Sequence, residues 1–153
     1  MSSDLYRQQV LQHARAPVNR RINNNATIKV RGDNPLCGDQ LDVYVCTCKE
    51  RIDDVSFEGS ACAISIASAS MMSTMLSGQR QQDVADTTAQ VLDMLNSDPQ
   101  APIPGTLQAQ PVAALAAVRH YPSRVKCATL PWQAAAEALA GGASRVTTET
   151  NNH

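Results

Sequence analysis

The chain has 153 residues, 43% of them hydrophobic, so it is expected to form one domain with an ordinary buried core. Its 13 basic and 14 acidic residues give a formal charge of -1, which provides no electrostatic attraction to nucleic acid or to an anionic membrane. Small molecules, metals and proteins remain as partners.

The chain shows no signal for export or for membrane insertion. Residues 1–9 contain an acidic residue and no apolar run, unlike a secretory signal peptide. Residues 61–76 are apolar, but they are interrupted by serines and are too short to span a bilayer. We therefore expect a cytoplasmic protein, in which thiols stay reduced. In that compartment the odd number of cysteines, 5, favours metal binding or thiol chemistry over a disulfide framework.

The first part of the chain predicts a helix followed by strands. Apolar residues near helical spacing follow Ser2-Ser3-Asp4, and Pro17 marks the end of this leading helix. Lys49-Glu50 is short enough to close a hairpin between two strands. The sheet is therefore expected to be small, three-stranded and mostly antiparallel. Its strands are predicted at about 26–31, 40–48 and 51–57.

The second part of the chain predicts helices. Gly78 is expected to end the first of them, and Pro131 is expected to begin the last. Strands followed by helices predict an α+β fold. We expect one domain over 1–142 and a disordered tail over 143–153. The helices are predicted at 62–77, 83–96, 111–119 and 131–140.

Cys37 and Asp39 are the first candidate pair for a metal. Because they are two residues apart in an extended segment, their side chains point the same way, and Gly38 permits a tight backbone between them. A thiolate and a carboxylate can thus approach one ion from one side. A turn in which Asp39 caps its own backbone explains the same residues.

Cys62 and Cys127 are the other two candidate thiols. Cys62 begins a small-residue helix, where free amides and the helix dipole favour a thiolate and lower its pKa. The alternative for Cys62 is a small buried residue. Cys127 follows Arg124 and Lys126, whose charges would offset the net charge of about -2 of three thiolates and one carboxylate around a divalent ion. A solvated edge is the alternative for both cations.

Cys37, Cys62 and Cys127 each lie where the chain is predicted to change conformation, so we expect exposed thiols that converge with Asp39 into one site. Cys46 and Cys48 form a Cys-x-Cys pair on the second predicted strand. That spacing can chelate a metal or form a strained disulfide, but burial or edge packing explains it at least as well. They are left outside the site. The histidines have no cysteine neighbours and are interpreted as surface or core residues: His13, His120 and His153.

The chain carries four ordered motifs: NPLCGD at 34–39, FEGSACAIS at 57–65, ASASMM at 67–72 and KCATL at 126–130. Together these motifs resemble the IscU/SufU group, also called the NifU N-terminal-like iron-sulfur cluster assembly proteins. The resemblance includes Leu5-Tyr6 and runs over roughly residues 4–140. It implies an α+β fold with helices packed on a small antiparallel sheet, and a metal site built from Cys37, Asp39, Cys62 and Cys127.

Departures from the scaffold pattern make the chain resemble the SufU branch. Scaffold-type members usually carry a histidine directly before the third cysteine and a Leu-Pro-Pro-Val-Lys stretch that a chaperone recognises. Here Lys126 takes the place of the histidine, and residues 121–126 replace the stretch. Ala61 also stands where a glycine usually precedes the second cysteine. The SufU branch holds zinc and accepts persulfide sulfur from a cysteine desulfurase.

The resemblance implies a zinc-binding sulfur acceptor and carrier, similar to a sulfurtransferase rather than a stand-alone enzyme. Its partners would be a SufS-like cysteine desulfurase and other cluster assembly proteins, with neither nucleic acid nor membrane. We expect Cys37 to accept the sulfur, because the Gly38 loop is the most mobile of the three supports. A scaffold that binds iron and builds a [2Fe-2S] cluster on the same residues is the alternative. A structural zinc module and a cysteine hydrolase are further alternatives.

Overall fold

The computed structural model describes residues 3–141 and 145–148. Its α-helices are α1 (Ser3–Arg15), α2 (Ala63–Leu76), α3 (Gln81–Asn96) and α4 (Pro122–Ala140), with a 3₁₀ helix at Pro111–His120. Its strands are β1 (Ile28–Asn34), β2 (Asp39–Cys48), β3 (Arg51–Ser60) and β4 (Arg145–Thr147). None of the helices in these ranges is long and apolar enough to cross a bilayer. The α+β prediction is confirmed.

The sheet has four strands in the order β3-β2-β1-β4, so the prediction of three strands is wrong. The first three strands are antiparallel as expected, whereas β4 pairs in parallel with β1, from Arg31↔Arg145 to Asp33↔Thr147. Residues 145–147 of the predicted tail at 143–153 thus form β4, and residues 143–144 and 149–153 lie outside the described residues. The physical reason is the outer edge of β1, whose unpaired backbone groups accept a short strand.

The end of the β1–β2 hairpin places the first part of the candidate site. Both strands run to the turn, so that Asn34 pairs with Asp39 and residues 35–38 form the connection. The Cys37 N–H donates to the Asn34 carbonyl at 3.2 Å, and Gly38 has a φ of 73°, which favours glycine. At the other hairpin, Lys49 follows β2 with a φ of 57°, and the predicted turn at Lys49-Glu50 is confirmed.

Helix α2 lies in the core, although serines make up much of its sequence. Ser65, Ser68, Ser70 and Ser73 are all fully buried, as are Ala67 and Met72. Small side chains let neighbouring elements approach closely, and hydroxyl groups at these positions bond to partners on α1, α4 and the chain beyond α1. A buried hydroxyl with a partner avoids the desolvation cost of an unpaired one.

Helix α4 begins at Pro122, so the predicted helix start at Pro131 is wrong. Pro131 lies inside the helix, where it lacks the N–H that would bond to the Cys127 carbonyl four residues earlier. That carbonyl instead lies 3.0 Å from Ser65 Oγ on α2. A donor from another helix therefore replaces the missing bond, which allows the helix to continue through the proline. Cys127 consequently lies within α4 rather than before it.

Candidate metal centre

The structure brings three of the four predicted site residues into one group, and Cys62 lies beside Asp39 but outside that group. Cys37 lies in the β1–β2 connection, Asp39 begins β2, Cys62 is the N-cap of α2, and Cys127 lies in α4. The ligand atoms of Cys37, Asp39 and Cys127 all lie within 4.8 Å of one another. Cys127 Sγ is 3.6 Å from Cys37 Sγ, and Cys62 Sγ is 3.6 Å from Asp39 Oδ2.

Two of these separations match those between neighbouring ligands in a tetrahedral metal site. Bond lengths of about 2.3 Å to sulfur and about 2.1 Å to oxygen require ligand atoms about 3.6–3.8 Å apart in a tetrahedron. The distances of 3.6 Å between Cys127 and Cys37 and between Cys62 and Asp39 agree with that requirement. Thiolates with one carboxylate suit zinc, and thiolates also suit iron. The residues present therefore fit either metal.

Exposure falls steeply across the site. Cys37 is exposed and Cys62 is half-buried, whereas Asp39 is 1% exposed and Cys127 is 3% exposed. The prediction of an exposed thiol is thus wrong for Cys127. Its burial follows from the position of Cys127 inside α4, which packs against α2 and the sheet.

The two inner thiols have opposite pKa shifts. The neighbouring Cys127 thiol is the main cause that lowers the pKa of Cys62 to about 6, and hydrogen bonds from the backbone and side chain of Ser65 add to it. The hydrogen bond to Cys62, together with burial, raises the pKa of Cys127. Without a metal, these shifts favour the thiolate at Cys62 and the proton on Cys127. The lowered pKa of Cys62 agrees with expectation, but the largest cause is a neighbouring thiol rather than the helix terminus.

Two buried polar residues that sequence reasoning missed hold the Asp39 carboxylate and Cys127. Asn34 is fully buried, and its Nδ2 lies 3.4 Å from Asp39 Oδ2 and 3.5 Å from Cys127 Sγ. Ser65 Oγ lies 3.0 Å from Asp39 Oδ2. The other carboxylate oxygen, Oδ1, accepts a hydrogen bond from the Cys62 N–H at 2.7 Å. The available signals were an Asn-Pro turn before Cys37 and a serine one helical turn after Cys62.

The two predicted accessory cations differ in their surroundings. Arg124 is exposed, and its guanidinium stacks over the Tyr121 ring at 4.6 Å from the centroid. Lys126 is half-buried directly before Cys127. Both lie in the first turns of α4, near the thiol that they were predicted to accompany. Their accessory role stays a prediction.

The remaining cysteines and histidines lie elsewhere. Cys46 and Cys48 are at the end of β2 opposite to Asp39, where Cys46 Sγ accepts a hydrogen bond from Asn23 Nδ2 at 3.1 Å. His13 Nδ1 lies 2.8 Å from Ser70 Oγ, and the His120 ring packs against that of Tyr121. His153 lies outside the described residues. These two cysteines and two histidines thus lie away from the proposed ligands, as the sequence predicts.

Comparison with known proteins identifies related sequences and structures. Residues 5–128 match the family described as NifU-like N terminal domain. The chain is 32% identical over 136 residues to the zinc-dependent sulfurtransferase SufU of Bacillus subtilis (strain 168), covering 89% of this chain and 90% of that protein. It is 30% identical over 135 residues to the iron-sulfur cluster assembly scaffold protein IscU of Thermotoga maritima, covering 88% of this chain and 92% of that protein.

The fold also matches a solved structure over nearly its whole length. The crystal structure of FiSufU from Fervidobacterium islandicum AW-1, described as an iron-sulfur cluster assembly scaffold protein for the SUF system, has a TM-score of 0.79 and 28% sequence identity. The match covers 91% of this chain and 99% of that one. The similarity in sequence and that in structure thus extend over the same domain.

Proposed function

The chain belongs to the NifU-like N-terminal domain family, and on that premise we propose that it serves iron-sulfur cluster assembly as a zinc-binding sulfur acceptor and carrier. The observation that carries this proposal is the arrangement of thiols around Asp39. One thiol, Cys37, is exposed to solvent, whereas Cys62 is half-buried and Cys127 is buried. A structural zinc site, in contrast, is closed to exchange.

Zinc would be held by Cys37, Asp39, Cys62 and Cys127. When bound, zinc supplies a positive charge that keeps thiols deprotonated without redox chemistry of its own. The chain prepares these donors unequally, because the pKa of Cys62 is lowered to about 6 while that of Cys127 is raised. Asn34 and Ser65 hold the Asp39 carboxylate in place from two sides.

Cys37 is the residue that would accept sulfur. Its thiolate attacks the outer sulfur of a persulfide on the donor, so that a new S–S bond forms at Cys37 while the donor S–S bond breaks and its cysteine leaves as a thiolate. The product is a persulfide on Cys37, and no external oxidant or reductant is needed. The Cys37 connection suits this step because the thiol is exposed and Gly38 has open space around it.

The donor would be a SufS-like cysteine desulfurase, and other cluster assembly proteins would receive the sulfur. Zinc-dependent sulfurtransferase is the description of the Bacillus subtilis relative, which supports a transfer role for this chain. Arg124 and Lys126 precede Cys127 in the first turns of α4, and we infer that their positive charges stabilise thiolates and a bound persulfide.

Labelled-sulfur transfer from a desulfurase to the zinc-loaded and metal-free protein tests the proposal. We expect transfer to the wild type and loss of transfer in Cys37→Ala. Cys48→Ala is the matched control, because Cys48 is an equally exposed cysteine outside the site. Full uptake by Cys37→Ala would rule out Cys37 as the acceptor. No transfer to the wild type in either form would favour a structural zinc module instead.

A second candidate is a scaffold that assembles a [2Fe-2S] cluster on the same residues. It is favoured by the thiol-rich donor set and by similarity to proteins named as IscU scaffolds. The lysine at 126, where scaffolds usually carry a histidine, argues for the carrier. Anaerobic reconstitution with iron and sulfide separates the two functions. A stable, stoichiometric cluster chromophore supports the scaffold, whereas retained zinc and rapid cluster loss support the carrier.

A further inference from the structure

Ser65 occupies a junction between three of the elements that carry the proposed ligands. The residue is fully buried on α2, one helical turn after Cys62. Its Oγ lies 3.0 Å from Asp39 Oδ2 on β2 and 3.0 Å from the Cys127 carbonyl on α4. Cys62 Sγ lies 3.7 Å from the same Ser65 Oγ atom. One side chain thus contacts three of the four proposed ligand residues.

The contact with Cys127 has a cause in the sequence of α4. Pro131 has no N–H, so the Cys127 carbonyl loses the donor that a regular helix would provide. A buried carbonyl without a donor is costly, and the Ser65 hydroxyl takes over this role from outside the helix. The proline therefore makes the backbone of Cys127 depend on a side chain of α2.

Ser68 provides an internal comparison on the same helix. Its Oγ lies 2.6 Å from the carbonyl of Ala128 and accepts a hydrogen bond from Trp132 Nε1 at 3.0 Å. Ser68 is also fully buried. The two serines therefore dock α4 onto α2 through successive carbonyls. They differ in that Ser65 also contacts Asp39 and Cys62.

We propose that Ser65 is a positioning residue for the sulfur and metal site, which sets the backbone of Cys127 and the orientation of the Asp39 carboxylate together. A hydroxyl has one proton, so Ser65 can donate toward the Asp39 carboxylate oxygen or toward the Cys127 carbonyl, and both acceptors lie 3.0 Å from its Oγ. Ser65 Oγ and Asn34 Nδ2 both approach Asp39 Oδ2, which limits the directions left for a metal at that oxygen. The part of this proposal that concerns a metal rests on the proposed function.

The experiment compares Ser65→Ala with its matched control Ser68→Ala. Both variants remove a buried hydroxyl that reaches a carbonyl of α4, so we expect them to lower the thermal midpoint similarly. Only Ser65→Ala is expected to weaken zinc binding, by about 10–100-fold, as is typical for residues that orient metal ligands. In the metal-free protein, Ser65→Ala is also expected to speed alkylation of Cys127, followed by peptide mass mapping, relative to Ser68→Ala.

The double variant Ser65→Ala/Pro131→Ala provides a test even if Ser65→Ala alone fails to fold. Alanine at 131 restores the backbone N–H, which can donate a hydrogen bond to the Cys127 carbonyl from within α4. We expect this double variant to fold and to recover the slow alkylation of Cys127, while zinc binding stays weaker than in the wild type because the Asp39 contact is still missing.

The outcomes separate this proposal from the proposed function. Equal zinc affinity and equal Cys127 alkylation in Ser65→Ala and Ser68→Ala would overturn the role of Ser65, while tight zinc binding by the wild type would leave the proposed function standing. If the wild type binds no zinc, the zinc part of the proposed function fails. In that case the alkylation comparison alone decides for or against Ser65.

Discussion

The proposed site has two sides that differ in exposure and support. The loop side, Cys37 and Gly38, is exposed, and a side chain at Gly38 would meet no atom within 4 Å. The framework side, Asp39 and Cys127, is almost fully buried. There Asn34 contacts both Asp39 and Cys127.

This difference suggests a division of labour between the ligands. A thiol that leaves a metal to attack a persulfide needs access and freedom to move, and the loop side provides both. The remaining donors must keep their places while it is away, and buried hydrogen bonds provide that support. A site with only exposed ligands would lose its geometry, and a site with only buried ligands would lose access to the persulfide. Substitutions can change one side at a time.

The largest effect is expected from alanine at Gly59, which supports the framework side. Gly59 pairs with Leu41 in the β2–β3 ladder at a φ of 153°, and a Cβ there would lie 2.1 Å from the Gln40 carbonyl oxygen. Because that neighbour is backbone, we expect Gly59→Ala to lower the free energy of unfolding by at least about 3 kcal/mol. Chemical denaturation measures this loss.

Gly38→Ala is the matched control on the loop side. Gly38 also has a positive φ, 73°, but open space surrounds its Cα. The expected loss is therefore only the cost of a left-handed conformation, about 1 kcal/mol. Equal losses at the two glycines would contradict the division into a loop side and a framework side.

Removal of one cysteine from each side gives the next largest effect. Cys127→Ala leaves a gap among buried groups, so we expect the metal-free protein to lose about 2 kcal/mol of unfolding free energy. Cys37→Ala changes an exposed residue and should stay within about 0.5 kcal/mol of the wild type. Both variants should nevertheless weaken zinc binding by at least about a hundredfold. Comparable stability of the two metal-free variants would argue against a rigid framework side.

The parts of the fold with local signals were predicted correctly. Lys49-Glu50 closes the predicted hairpin, and α3 begins at Gln81, two residues before its predicted start at 83. Periodic apolar residues and turn residues carry this information within a few positions. The structure groups three of the four proposed ligands, Cys37, Asp39 and Cys127, and places Cys62 Sγ 3.6 Å from Asp39 Oδ2, whereas their role as ligands stays a prediction that rested on motifs that resemble a family.

The parts that depend on distant contacts were missed. A proline gives the same sequence signal at the start of a helix as inside one. Pro131 lies inside α4, and the hydroxyl that replaces its missing N–H donor belongs to Ser65, on another helix. Strand β4 is short and exists through its pairing with the edge of β1. The burial of Cys127 and the role of Asn34 likewise follow from packing between elements, which neither periodicity nor composition records.

The pH dependence of Cys62 sharpens the comparison from within the site. Cys62 is half-buried between the two sides, and the pKa of its thiol is lowered to about 6. Since the thiolate is the reactive form, we expect alkylation of Cys62 in the metal-free protein to fall roughly tenfold as the pH drops from about 7 to about 5. Cys127, whose pKa is raised, should react slowly throughout this range. A hundredfold fall at Cys62 would indicate an ordinary thiol pKa.

A small effect is expected at Thr148, which directly follows β4 and contacts Asn34 on the framework side. Its Oγ1 lies 3.0 Å from Asn34 Oδ1, and its N–H donates to the Asp33 carbonyl at 2.9 Å. A donor on Oδ1 turns the Asn34 amide so that Nδ2 faces Asp39 and Cys127. Thr148→Val keeps the shape and removes this donor, so we expect a loss of about 0.5–1 kcal/mol in unfolding free energy.

The conservative variant Thr148→Ser separates the donor from the methyl group. If the hydroxyl orients Asn34, Thr148→Ser keeps the slow alkylation of Cys127, whereas Thr148→Val speeds it. The Asp33 bond is made by the backbone and persists in both variants, so β4 should stay paired with β1 in each. Identical alkylation of Cys127 in the two variants would confine Thr148 to a role in the strand. A difference would extend the framework side to a residue well beyond the end of α4, because the amide that Thr148 orients contacts both buried ligands.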